Sequence, residues 1–107
     1  MLTSPAVYSA IADPTRRAIL DAIRGQERSA GDIADLFPVS RPAISRHIRV
    51  LREAGLVHER RVAQSRFYSL NAAPLRDVDR WLDGYKVFWN ARLQSLKRIA
   101  ESHAARR

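Results

Sequence analysis

The chain contains no cysteine. Disulfides, thiolate metal sites, redox sensing and cysteine nucleophiles are excluded together. No apolar run approaches the roughly 18 residues that a membrane helix needs, and the N-terminus lacks a charged-then-apolar signal pattern. A cytoplasmic protein is therefore expected, with no membrane partner. Also missing are a glycine-rich phosphate loop, a nucleophile elbow and an acid–base pair set against a recognisable pocket. An enzyme is not expected, and neither is a cofactor.

What is present is positive charge. A chain of 107 residues suits a single domain spanning 1–107 with a real core. Its net charge of +8 comes from 17 Arg and 2 Lys against 11 acids, a balance that favours polyanions. The preference for arginine over lysine decides nothing, since genome composition produces the same bias. Its placement says more. Arg41, Arg46, Arg49, Arg52, Arg60, Arg61 and Arg66 stand in one stretch with Glu53 and Glu59 as its acids.

That stretch begins inside a pair of capped helices separated by a short turn. Ser29 starts the first, with Asp32 three residues on, and Ile33, Leu36 and Phe37 follow at helical spacing. Pro38-Val39-Ser40 breaks it. Ser40 caps a second helix that runs from Arg41 to Ala54 and stops at Gly55. At about 100° per residue Ile44, Ile48 and Leu51 form an apolar stripe, while Pro42, Ser45, Arg46 and Arg49 gather opposite, with Arg52 on the flank. A helix-turn-helix at about 29–55 is the reading, and such a motif lays its second helix in the major groove of DNA. Arg41, Ser45, Arg46 and Arg49 are the expected base and phosphate contacts, Arg46 first among them. His47 flanks the stripe and reads as a packed or phosphate-bonded histidine rather than a ligand.

Elsewhere the punctuation is clear. Residues 6–12 suit a first helix with Val7 and Ile11 on one side. Asp13-Pro14 starts a second, to about Arg24, which buries Ala18, Ile19, Ala22 and Ile23. Residues 56–62 and 66–70 are β-branched and aromatic runs around Ala63-Gln64-Ser65, a two-stranded hairpin placed as a wing at about 56–70. Arg61, Gln64, Ser65 and Arg66 near its tip are candidates for the phosphate backbone or a minor groove. His58, on a strand, reads as structural. Pro74 opens a long helix to about residue 102. Leu75, Val78, Leu82, Tyr85, Trp89, Leu93, Leu96 and Ala100 recur along it, widened by Trp81, Phe88 and Ile99. So wide an apolar face exceeds what a small domain buries, and part of it is expected to meet the same helix of a second chain; packing across its own domain and lining a ligand cavity are the alternatives. Asp77, Asp79 and Asp83 near its start suit the helix dipole and need no metal.

The segments Asp13-Pro14-Thr15-Arg16-Arg17, Ile33-Ala34, the run from Val39 to Ile48, the run from Leu51 to Val57, and Phe67-Tyr68-Ser69-Leu70 together resemble the ArsR-type winged helix-turn-helix repressors. The resemblance covers about residues 7–100. It implies about five helices plus a two-stranded wing, mainly α, as a symmetric homodimer joined through the first and last helices. Val7, Ile11, Leu82, Tyr85, Phe88, Trp89, Leu93 and Leu96 would form that interface. Phe88-Trp89-Asn90-Ala91-Arg92-Leu93 is similar to the last helix of a non-metal, autorepressor-like subgroup. Metal-sensing members carry a cysteine pair where this chain has Ser29 and Gly31. A second family site uses Asp and His on the last helix, where the histidine here is His103. Without such ligands no metal site is expected.

The function expected is a homodimeric repressor reading a pseudo-palindromic promoter operator through residues 41–54, with Ser40, Arg41, Pro42, Ser45, Arg46, His47, Arg49, Arg52, Arg61, Gln64, Ser65 and Arg66 at the DNA. The alternative is a winged-helix protein-interaction module whose basic surface gives only non-specific DNA affinity. A small-molecule effector between the dimer helices stays open.

Overall fold

A computed structural model of the chain describes residues 5–105. The elements in order are α1 (Pro5–Ile11), α2 (Pro14–Ile23), β1 (Arg28–Ser29), α3 (Ala30–Asp35), α4 (Arg41–Glu53), β2 (Val57–Val62), β3 (Ser65–Leu70) and α5 (Leu75–Ala105). The chain divides into two compact units at Arg76–Asp77. The first holds α1 to β3, and the second is the remainder of α5.

Each helix boundary has a chemical cause. Asp13 accepts a hydrogen bond from the Arg16 backbone N–H at 2.9 Å, and Pro14 takes the first helical position of α2. Ser29 caps α3 through the Asp32 N–H at 3.1 Å, and Ser40 caps α4 through the Ala43 N–H at 3.3 Å. The end of α4 is a Schellman turn. Leu56 N–H donates to the Leu51 carbonyl and Gly55 N–H to that of Arg52, each at 3.0 Å. Gly55 has φ +79, a conformation that needs glycine there. Leu51 and Leu56, the apolar pair that closes such a turn, are both fully buried.

The core of the first unit is aliphatic. Ala10, Ile19, Leu20, Ile23, Ile33, Ile44, Ile48, Leu51, Leu56 and Val57 join Tyr68 in one cluster. Fully burying each large member contributes about 1.5–3 kcal/mol, so α4 is seated chiefly by Ile44, Ile48 and Leu51. Of the residues expected inside α2, Ile19 and Ile23 are buried, Ala18 and Ala22 are half-buried, and Leu20 joins them.

Three expectations change. The link between α3 and α4 is five residues, 36–40, because α3 ends at Asp35. Leu36 and Phe37 N–H groups reach back three residues, to Ile33 and Ala34, which tightens the last turn out of α-helical geometry. Leu36 is consequently exposed rather than part of the buried stripe. The sheet, in turn, has three antiparallel strands in the order β1-β3-β2. Arg28 pairs with Tyr68 and Ser29 with Phe67. A two-residue strand has no alternation to read, so only its long-range pairing reveals it.

The hairpin turn is also shorter than Ala63-Gln64-Ser65. Val62 pairs with Ser65, which leaves Ala63 and Gln64 as the loop. Ala63 has φ +55 and is the non-glycine residue with positive φ among those described. Positive φ at the first loop position is the demand of a II′ turn, where glycine is usual.

Candidate nucleic-acid interface

Helix α4 buries one side and presents the other. Arg41, Pro42, Ser45, Arg46, Arg49 and Arg52 are exposed, with Ile44, Ile48 and Leu51 beneath them. The expected contact face is thus brought together on one surface of one helix. The wing residues Arg61, Gln64, Ser65 and Arg66 are exposed at the distal end of the hairpin. Arg61 and Arg66 are directly paired across the strands. Like charges opposite one another destabilise a sheet, a repulsion that the Glu59 carboxylate 3.7 Å from Arg66 offsets. A cleft of about 130 Å³ lies between helix and wing, lined by Ala30, Ser45, Ile48, Arg49, Arg52, Arg66 and Tyr68.

The arginines of this surface fall into two groups. Arg41 lies 3.6 Å from Asp35, with both side chains well exposed, which makes for a weak pair. Arg52 donates to Glu59 at 3.1 Å, and Arg66 lies 3.7 Å from the same carboxylate. Arg60 binds Glu27 through Nε at 3.1 Å and Nη2 at 2.6 Å, and its guanidinium sits 5.1 Å from the Phe67 ring centre. That fork holds the Glu27 carboxyl below its ordinary value and raises Arg60. Arg46, Arg49 and Arg61 have no ion pair among the described residues. Their charge is left to an outside anion.

His47 is half-buried, and its Nδ1 accepts a hydrogen bond from Arg16 Nη1 at 3.3 Å. In the neutral ring the proton is then on Nε2, which remains as a donor. Arg16 does more. Its Nε donates to the Ala10 carbonyl at 2.8 Å and its Nη2 to that of Ser9 at 2.9 Å, while Arg17 Nη1 donates to Ile11 at 2.9 Å. These are carbonyls in the last turn of α1, and that of Ser9 also accepts the Ala12 backbone N–H at 3.3 Å. The Arg16-Arg17 pair therefore seals α1, and Arg16 links it to α4. Neither role was assigned from the sequence, although two arginines just after an Asp-Pro helix start are its signal. The hub role of Glu59 was also missed. It receives Arg52, Arg66 and the Tyr68 hydroxyl, the last at 3.1 Å. Burial, and then the Glu59 carboxylate, push the Tyr68 phenol up.

On α5, Trp81, Tyr85, Phe88, Trp89, Leu93 and Leu96 are between 48% and 63% exposed, and Leu82 is half-buried. Trp81 and Tyr85 meet edge-on with ring centres 5.3 Å apart. The acids of this helix have cationic partners. Asp79 and Asp83 both bind Lys86, whose ammonium is raised chiefly by Asp79, and Asp77 pairs with Arg80. On α1, Val7 is 3% exposed within the single chain, so little of it is left for a partner, whereas Ile11 is half-buried. No described helix is long and apolar enough to cross a membrane.

Comparison with known proteins agrees with this geometry. A protein-family model described as a helix-turn-helix domain matches residues 11–60. The transcriptional repressor SdpR of Bacillus subtilis is 45% identical over 76 residues, which cover 71% of this chain and 84% of that protein. An HTH-type transcriptional regulator of Mycobacterium tuberculosis is 36% identical over 99 residues, 89% of this chain and 86% of the other. An ArsR-like transcriptional regulator from a Rhodococcus species superposes with a TM-score of 0.70 at 36% identity, covering 91% of this chain and 89% of that one. With its capped helix pair, arginine-bearing α4 and winged hairpin, the chain belongs to the ArsR-type winged helix-turn-helix family of DNA-binding transcriptional regulators.

Proposed function

We propose that the protein is a homodimeric, sequence-specific repressor in the cytoplasm. It reads a pseudo-palindromic promoter operator with α4 of each protomer and braces the contact with the β2–β3 wing. The observation that carries this reading is the pair Arg46 and Arg49, without an ion pair among the described residues, on the exposed face of a helix seated by Ile44, Ile48 and Leu51. Guanidinium groups so placed suit guanine edges and phosphates. The apolar row of α5 supplies a surface for a second copy, and a dimer of this class sets its two groove-reading helices about one DNA turn apart. Occupying a promoter in this way blocks polymerase. A chain without cysteine falls outside thiolate-based metal sensing.

The test is a footprint of the purified protein on DNA upstream of its own gene, at near-physiological salt. Protection of a roughly two-fold symmetric site supports the reading. Binding to every sequence alike, or to none once salt is raised, favours a protein-interaction module with only electrostatic affinity for DNA.

A further inference from the structure

Glu59 stands inside the basic surface and holds two of its cations at once. Its carboxylate accepts from Arg52 on α4 at 3.1 Å and from the Tyr68 hydroxyl on β3 at 3.1 Å, and lies 3.7 Å from Arg66. The Glu59 side chain is 22% exposed, against 40% for Arg52 and 47% for Arg66. One acid therefore bridges the groove-reading helix and the wing, the two elements that meet DNA together. Arg46, Arg49 and Arg61 have no such partner among the described residues.

We infer that Glu59 is a specificity-determining residue, the internal counter-ion of Arg52 and Arg66 that suppresses sequence-independent binding to DNA. Non-specific affinity grows with the number of phosphates neutralised and counter-ions released. An arginine held by Glu59 must break that pair before it takes a phosphate, so it adds little on random sequence. Affinity then depends on the unpaired Arg46 and Arg49, which sit on the face that reads base edges. This role rests on the DNA-binding reading of the surface.

The experiment measures binding of the full-length protein to a random-sequence duplex of about 30 bp, by fluorescence anisotropy, from about 50 to 300 mM salt. Glu59→Gln keeps the shape of the side chain and removes its charge. It is expected to bind random DNA on the order of tenfold more tightly at 0.1 M salt, with a log K against log salt slope steeper by about 1–2. Glu53→Gln removes the same charge from α4, but Glu53 makes no ion pair with either arginine among the described residues, so its slope stays near wild type. Tyr68→Phe keeps the carboxylate and leaves the slope unchanged. Wild-type affinity and slope in Glu59→Gln, weaker binding, or an equal gain in Glu53→Gln would each overturn the role. If Glu59→Gln does not fold, the Arg52→Gln/Arg66→Gln double variant decides. An unchanged slope on random DNA supports the role, and a slope shallower by about 2 refutes it. Wild-type protein that binds no duplex at 50 mM salt would sink the DNA reading itself, and this role with it.

Discussion

An arginine with a carboxylate beside it and one without are different reagents toward DNA. Among the described residues Arg46 on the face of α4 and Arg61 at the end of the wing have no ion pair. Arg46→Ala should lose about 1–3 kcal/mol of discrimination at one base position, whereas Arg61→Ala should weaken all sequences alike and make the salt slope shallower by about 1. Equal losses on operator and random DNA for both variants would count against this division. Acid stability belongs to the same scale. Asp13 is held below its ordinary value first by the Arg16 backbone N–H, and Glu27 first by Arg60. The folded protein therefore binds fewer protons at these groups than the unfolded chain. Their stabilisation is complete above the ordinary carboxylate values of 3.8 and 4.5, and is lost as pH falls through the depressed ones. Asp13→Asn and Glu27→Gln should each flatten the acid limb of a stability–pH curve measured by denaturant melts. At the hairpin tip, Ala63→Gly relieves a left-handed alanine and should raise the unfolding free energy from denaturant melts by up to about 1 kcal/mol once the added freedom of the unfolded chain is offset.

At the scale of elements, capping and sealing hold the short helices in place. Helix α1 has seven residues and α3 has six, lengths that are not stable alone in water. Arg16 satisfies two end carbonyls of α1 and the Nδ1 of His47 on α4. Arg16→Ala should cost about 1–3 kcal/mol in chemical denaturation and loosen α4 together with α1. A variant as stable as wild type would show that water replaces those bonds. Ser40→Ala tests a single cap and should cost about 1 kcal/mol. These elements were legible to different degrees. Ser29, Ser40, Asp13-Pro14 and Gly55 are local signals, and each marks a boundary in the structure at the residue expected. The Leu36–Phe37 turn was not legible, because apolar spacing continues while the backbone has already tightened.

For the whole molecule the uncovered face of α5 matters most. Trp81, Phe88, Trp89, Leu93 and Leu96 of its row are each at least half exposed, a surface that water penalises at roughly 25 cal/mol per Å² of apolar area. In the homodimer proposed above a second copy covers this face and gains that energy, and Leu93→Glu should forfeit it. Sedimentation should then find a monomer whose residues 5–76 stay folded, with operator affinity falling steeply because two half-sites are no longer bound as one. A Leu93→Glu protein that sediments as a dimer would place the interface elsewhere, and a monomeric wild type would overturn the homodimer.

What the sequence determined by itself was set by local rules. Helix caps, the 3.6-residue stripe on α4, the absence of cysteine and the wide face of α5 depend on neighbours a few positions away, so they can be read along the chain. The tertiary structure decided which charges are already neutralised. Glu27 and Arg60 are 33 residues apart, as Arg16 and His47 are 31, and strand β1 exists only through its pairing with Tyr68 and Phe67. An arginine looks the same in sequence whether or not a carboxylate waits beside it. Only folding, which brings distant groups within hydrogen-bond reach, separates Arg46, Arg49 and Arg61 from Arg52, Arg60 and Arg66.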